Sequence, residues 1–441
     1  MSTMQAMRRT SPARWLLKDS QLPSISGALD LVANNKHFAD VRHVSTLPTR
    51  GGLISPKGTG GRSSVSGVVA TVFGATGFLG RYVVQLLAKT GSQVMVPFRG
   101  LEDSHRHLKL MGDLGQIVPM KYDIRDEESI RAAIAKSNVV INLIGKENET
   151  RNFSFEDINV DIPDRLSQLA HEHGGIMRFI QVSCLGASHS SPSKSYRTKA
   201  IGEELTVKNF PGATILRPAV MFGTEDRFLN RWAIQAKKLP ALPIIAGGKT
   251  KLQPALVLDV AAAVVAAVRD EGTSVGKTYE LGGPDVLTVN ELVHIMFDTI
   301  REHPHVIDVP LSVAKLMAAP QEYLLKKVPF PLSPVFPFYS DYVHSLEVDS
   351  IVSPEALGFT DLGIKPRKLQ GIAIDYLLAY RAGGPFMGST VGERTAGPLR
   401  MICAAQLGNE LLQNKQASFH AMFSVSFFEN VQKAKARGFP L

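Results

Sequence analysis

Three glycines, Gly74, Gly77 and Gly80, stand at a spacing of three directly after the apolar run Val68-Val69-Ala70-Thr71-Val72-Phe73. An amphipathic stretch, Arg81 to Lys89, follows at once. A strand, a glycine turn and a helix start in this order make a pocket for a dinucleotide pyrophosphate. Gly74 permits the tight turn, Gly77 lets backbone approach phosphate, and Gly80 lets the helix pack on the strand. The helix N-terminus adds free N–H groups and the positive end of its dipole. A second chemical signal closes the next apolar run, Val96-Pro97-Phe98-Arg99. An unphosphorylated ribose calls for an acidic acceptor about twenty positions past the glycines. Arg99 cannot accept, but its guanidinium suits a 2′-phosphate through charge-assisted bonds. The two signals together favour NADP(H) over NAD(H). Their plainer readings are a turn that holds nothing and a solvated arginine.

Other chemistries find little support. The two cysteines, Cys184 and Cys403, offer neither a disulfide framework nor a cysteine metal site. The twelve histidines show no metal-binding pair of the HExxH type, so no metal ligand is assigned. The net charge of +9 is confined to the ends. Residues 1–68 hold nine Lys/Arg against three Asp, and residues 400–441 hold five against two Glu, which leaves the body neutral. A basic footprint for nucleic acid is therefore not supported. The stretch Met1 to Lys18 is Arg-containing and free of acidic residues, as an organelle transit peptide is. A mitochondrial address is preferred, with a chloroplast address left open. No apolar run is long enough to span a bilayer.

The elements that must position these residues are legible as strand–helix alternation, the mark of a doubly wound parallel α/β sheet. Expected strands are Val68–Phe73, Gln93–Phe98, Gln116–Tyr122, Val139–Ile144, Met177–Ser183, Ala213–Arg217 and Lys277–Leu281. Expected helices include Arg81–Thr90, Glu127–Lys136, Ile158–His173, Arg197–Lys208 and Asp259–Asp270. Asp126 reads as a helix N-cap and Gly91 as a C-terminal stop. The Val/Ala-rich run Val257–Val268 reads as a core helix. The resulting organisation is a leader at 1–50, a linker at 51–67 and a Rossmann-type domain at 68–303. A smaller C-terminal α/β lobe begins near 218 and continues through 304–399, and a poorly ordered tail occupies 400–441. Past residue 304 the alternation is expected to fail. Ser312–Val328 is amphipathic, with Val313, Leu316, Met317, Pro320, Tyr323 and Leu324 on one face. With the Pro/Phe-rich Pro329–Phe338 it reads either as a docking surface or as a cover on its own domain.

The glycine turn, Asp123-Ile124, Asn142-Leu143-Ile144-Gly145 and Arg217-Pro218-Ala219-Val220-Met221-Phe222-Gly223 together resemble the extended short-chain dehydrogenase/reductase family. The resemblance implies that Asp123 and Ile124 flank the adenine and that Leu143, Ile144 and Gly145 line the nicotinamide side. It further implies backbone contacts to the nicotinamide end from Pro218, Ala219 and Val220. Thr76, Phe78 and Leu79 in the turn, with Ser183 and Lys199, complete the expected cofactor contacts. The family's catalytic pair is a tyrosine four positions before a lysine, which lowers the phenol pKa for proton exchange with a carbonyl. Here Ser195 stands four before Lys199, and Tyr196 is one residue out, a turn of about 100° on a helix. Lys199 is therefore open to three readings: a ribose hydrogen-bond donor, the partner of a shifted Tyr196, or a surface lysine. No catalytic residue is assigned.

Longer strings narrow the resemblance. They include Lys57–Gly67, Val96–Gly100, His107–Gln116, Arg151-Asn152-Phe153-Ser154-Phe155 and Gln181–Ala187. From about residue 58 to 395 the chain is similar to the alpha-subcomplex subunit nine family of mitochondrial NADH:ubiquinone oxidoreductase, respiratory complex I, of plant type. That resemblance implies an accessory subunit, peripheral to the inner membrane on the matrix side. It would hold NADP(H) as a structural cofactor and touch other complex I subunits at the junction of the peripheral and membrane arms. A soluble NADPH-dependent reductase or epimerase and an organellar RNA-binding protein are the alternatives.

Overall fold

The computed structural model describes residues 65–270, 272–327 and 339–381. The expected leader, most of the linker, Pro329–Phe338 and the tail from Arg400 lie outside the described residues.

Seven of the apolar runs become strands: β1 (Val69–Phe73), β2 (Gln93–Phe98), β3 (Ile117–Lys121), β4 (Val139–Asn142), β5 (Arg178–Val182), β6 (Thr214–Pro218) and β7 (Thr278–Leu281). They form one sheet in the order β7-β6-β5-β4-β1-β2-β3, and every neighbouring pair is parallel. The continuous apolar character of β1, β2 and β4 has a direct cause, because helices cover both faces of the sheet. On one face α1 (Phe78–Lys89), α2 (Asp103–Lys109) and α7 (Val257–Arg269) share a core with β1 and β2, built on Val83, Leu87, Leu108, Val260 and Val264. On the other, α3 (Glu127–Ile134) and α4 (Ile162–His173) pack Ile130, Ile134, Leu166 and Leu169 around Phe73 and Phe179. The caps fall where the sequence places them. Asp126 accepts from the Glu128 N–H at 3.2 Å, and Gly91 has a left-handed φ of +77°.

The remaining α-helices among the described residues are α5 (Lys194–Asn209), α6 (Leu229–Lys238), α8 (Val289–Ile300), α9 (Leu311–Lys327), α10 (Ser340–Ser345) and α11 (Ala373–Leu377). The smaller lobe has its own core, in which Phe222, Leu229, Trp232, Leu242, Ile244, Leu292 and Met296 are buried. One expectation is corrected in this lobe. Alternation does not stop at 304, for Val306–Val309 forms a strand parallel to Leu242–Ile245. Its Val306 and Ile307 are 37% and 53% exposed, so backbone pairing rather than burial holds it and the apolar pattern is weak. In α9 the buried side is made by Ala314 and Ala318. The larger apolar residues Val313, Leu316 and Tyr323 face solvent, at 44%, 75% and 65% exposure.

Candidate dinucleotide site

Strand order reverses between β1 and β4, and the crevice outside the carboxyl ends of strands at such a switch point is where open α/β sheets bind ligands. Gly74 follows β1 with φ +81°. A Cβ there would meet the Leu143 carbonyl carbon at 3.0 Å and the Ile144 nitrogen at 3.2 Å, so the two strand ends nearly touch. Gly80 sits deeper. A Cβ on it would lie 2.5 Å from the Gly74 oxygen and 2.6 Å from the Ala75 Cα, which no side chain could accept. Gly77 differs from both, because it is exposed and its nearest Cβ neighbour is the Gly74 oxygen at 3.2 Å. It is also the N-cap of α1 without a side-chain cap, and the first turn carries no acidic residue. The helix therefore presents uncapped amide groups beside a position where only a small residue leaves room, a cradle that fits a pyrophosphate.

The other expected cofactor residues, Lys199 of the helix Lys194–Asn209 apart, gather at the same edge of the sheet. Arg99 is exposed at the end of β2, and Asp123 follows β3. Leu143–Gly145 follow β4, where Asn142 orients them: its Oδ1 accepts from the Ile144 N–H at 3.1 Å while its amide donates to Gln181 at 2.9 Å. Ser183 follows β5, and its buried Oγ has no hydrogen-bond partner among the described residues. Thr76 is half-buried in the turn. Leu79 and Ile124 have side chains buried in the cores, so only their backbone can face a ligand. Phe78 turns toward the smaller lobe, where its ring would lie 3.3 Å from a Cβ on Gly223. The backbone of Pro218–Val220 is largely engaged. Pro218 O accepts from Leu185, Ala219 N–H donates to Leu281, and Val220 O accepts from Ala255.

Beneath the Arg99 end lies a cleft of about 620 Å³ lined by Arg99, Lys121, Asp123, Arg125 and Phe153 among others. No sequence motif marks Arg125 or Lys146, and Phe153 stands out only within the string Arg151–Phe155. The two cations follow β3 and β4 just as Arg99 follows β2, and that rule of position would have found them.

At the opposite end α5 carries Ser195, Tyr196 and Lys199. The helix starts at Lys194, a turn earlier than expected, because Ser193 caps it and accepts from the Tyr196 N–H at 3.4 Å. Asp341 of α10 reinforces that cap. Its carboxylate accepts from Ser193 Oγ at 2.8 Å and from the N–H groups of Lys194 and Ser195 at 2.6 and 3.3 Å. Lys199 lies against the Cys184 thiol, next to Ser183. Burial pushes the Cys184 thiol up. Tyr196 also borders Cys184, with Ser345 and Tyr342 of α10 nearby, and burial drives its phenol well above the ordinary value. A hydroxyl that must exchange protons needs the opposite shift. Nearby, Arg217 of β6 pairs with the buried Glu203 of α5 at 2.6 Å and with Glu280 at 3.5 Å. The smaller lobe is tied to the crevice at two points. Arg231 of α6 pairs with Glu147 at 2.5 Å, and Glu225 accepts from Tyr82 of α1 at 2.5 Å and pairs with Arg81 at 3.1 Å.

Residues 70–282 match the NAD dependent epimerase/dehydratase family. The chain is 58% identical over 395 residues to the mitochondrial NADH dehydrogenase [ubiquinone] 1 alpha subcomplex subunit 9 of Arabidopsis thaliana, covering 89% of this chain and 98% of that relative. It is 45% identical over 334 residues to the protein of the same name in Mus musculus, covering 74% of this chain and 84% of that one. Among solved structures, the NADPH-dependent quinone oxidoreductase QOR2 of Escherichia coli, complexed with NADPH, superimposes with a TM-score of 0.53 at 18% identity over 70% of this chain and 99% of that chain. That likeness concerns the fold.

Proposed function

The chain belongs to the family of mitochondrial NADH dehydrogenase [ubiquinone] 1 alpha subcomplex subunit 9, and from that premise we propose an accessory, non-catalytic subunit of respiratory complex I that holds NADP(H) as a structural cofactor. It sits peripherally on the matrix side of the mitochondrial inner membrane, near the junction of the two arms, against other subunits of the complex. The observation that carries this reading is a division within one site. The turn at Gly74–Gly80 is built for close backbone approach, while the place of the proton donor is held by Ser195 under the Asp341 cap. Tyr196, the nearest phenol, is buried with its pKa raised rather than lowered. Arg99 at the end of β2 supports the phosphorylated cofactor. When bound, that cofactor would stabilise the native state by mass action, whether or not it turns over. The apolar side of α9 supplies surface for neighbouring subunits. No helix among the described residues is long and apolar enough to cross a membrane.

Native electrophoresis of solubilised organelle membranes tests the reading. The chain is expected to migrate with the large respiratory assembly and to release NADP(H) on denaturation. A free small species that turns over an added carbonyl would favour a soluble reductase instead.

A further inference from the structure

Arg99 from the end of β2, Arg125 after β3 and Lys146 after β4 converge on a single ring. Their charged groups lie 5.2, 4.9 and 5.4 Å from the centroid of Phe153. None of the three forms an ion pair with a carboxylate among the described residues. Asp123 shares the cleft, and its carboxylate accepts from the Arg125 backbone N–H at 3.0 Å. The arrangement is held from within the loop. Arg125 Nη2 donates to the Asn152 carbonyl at 2.7 Å and Lys146 Nζ to Thr150 Oγ1 at 3.2 Å. Thr150 and Phe153 exchange backbone hydrogen bonds at 3.0 and 3.3 Å, which fixes the ring over the cleft. Cations are attracted to an aromatic ring, but three of them around one ring repel each other. The repulsion leaves a trace: burial and then Arg99 lower the Lys146 pKa. A cluster of this kind is completed by an anion with several acceptor oxygens.

We propose that Arg125 and Lys146, gathered by Phe153, determine cofactor specificity by sharing the 2′-phosphate of NADP(H) with Arg99. The inference rests on the NADP(H) reading above and adds the residues that set the preference. A phosphomonoester offers three oxygens to three cations and removes their mutual repulsion. A ribose with a free 2′-hydroxyl does neither, so the discrimination has an attractive and a repulsive part.

Binding of NADPH, NADH and the fragment pair 2′,5′-ADP and 5′-AMP to the purified full chain, measured calorimetrically, is the test. Lys146→Met and Arg125→Met are each expected to weaken NADPH and 2′,5′-ADP by roughly tenfold, in the range of a charge-assisted hydrogen bond, while NADH and 5′-AMP change by less than about twofold. Phe153→Leu, which leaves every cation in place, is expected to lose part of the same preference. The affinity for NADPH should also become less sensitive to added salt in the Lys146 and Arg125 variants. Ligand-free melting of each variant checks the fold, and Lys146→Gln replaces the Met variant if melting shifts. If Arg99→Ala abolishes the preference while the Lys146 and Arg125 variants keep it, this inference is overturned and the NADP(H) reading stands. A wild-type chain that binds NADH as tightly as NADPH overturns the NADP(H) reading, and this inference with it.

Discussion

At the scale of single residues, the three glycines of one turn do different work. A Cβ on Gly80 would strike backbone at 2.5 Å, and backbone at the head of a helix cannot step aside. Gly80→Ala is therefore expected to destabilise the protein by about 1–3 kcal/mol, as overpacking does, read by urea denaturation without ligand. Gly77→Ala meets only an oxygen at 3.2 Å. It should leave stability within about 1 kcal/mol yet weaken NADPH at least about tenfold, because the added methyl occupies the approach to the phosphates. Equal effects of the two substitutions on stability would contradict this division. Tyr196 is the other residue whose role is decided locally. Its phenol is buried beside Cys184, whose thiol also faces Lys199. Tyr196→Phe should leave NADPH affinity unchanged. Neither it nor the wild type should oxidise NADPH with a panel of aldehydes and ketones. Turnover in the wild type that the variant loses would restore the enzymatic alternative.

At the scale of elements, most of the architecture was legible and the exceptions have one cause. Buried parallel strands are apolar throughout, and helices that cover them carry a stripe at helical spacing, so seven strands and five helices could be located from pattern alone. Val306–Val309 could not, because it is a half-exposed strand held by hydrogen bonds to Leu242–Ile245. The role of α10 was equally hidden. Six residues long, it turns Asp341 onto the head of α5, while the nearby Glu347 pairs with Lys315 of α9 at 2.6 Å. This short helix links the element that bears Lys199 to the element with the exposed apolar side. Asp341→Ala removes acceptors from Ser193 Oγ and two backbone N–H groups, and should cost about 1–2 kcal/mol, the upper range for a helix cap. Asp341→Asn, which retains acceptor oxygen without the charge, should cost less. Chemical denaturation of the two variants checks the order, and equal losses would show that the charge at the helix end contributes nothing.

At the scale of the whole molecule, the body is electrically neutral and carries its surplus of positive charge at the two ends of the sequence. Such a distribution suits assembly with protein partners better than a nucleic-acid footprint. The charged pairs Arg231–Glu147 and Arg81–Glu225 are among the contacts that join the two lobes. If the proposed cofactor spans both lobes, its loss should loosen their docking as well as the turn. In organelles carrying Gly77→Val as the sole copy, the chain is expected to be depleted from the large respiratory assembly on native gels. Full incorporation of a variant shown to lack NADP(H) would separate cofactor from assembly.

The sequence alone determined the parallel sheet, the glycine turn at its switch point, the arginine after the second strand and the displacement of the tyrosine from its place before Lys199. These are local properties: periodicity reports which faces are buried, and spacing reports which residues a turn or helix brings together. Only the tertiary structure decided that Arg99, Arg125 and Lys146 meet over Phe153, and that Asp341 caps a helix about 150 residues before it. Such contacts join loops whose own sequences carry no periodic signal. Their meeting is set by the packing of the sheet and helices that bring the loop ends to one edge.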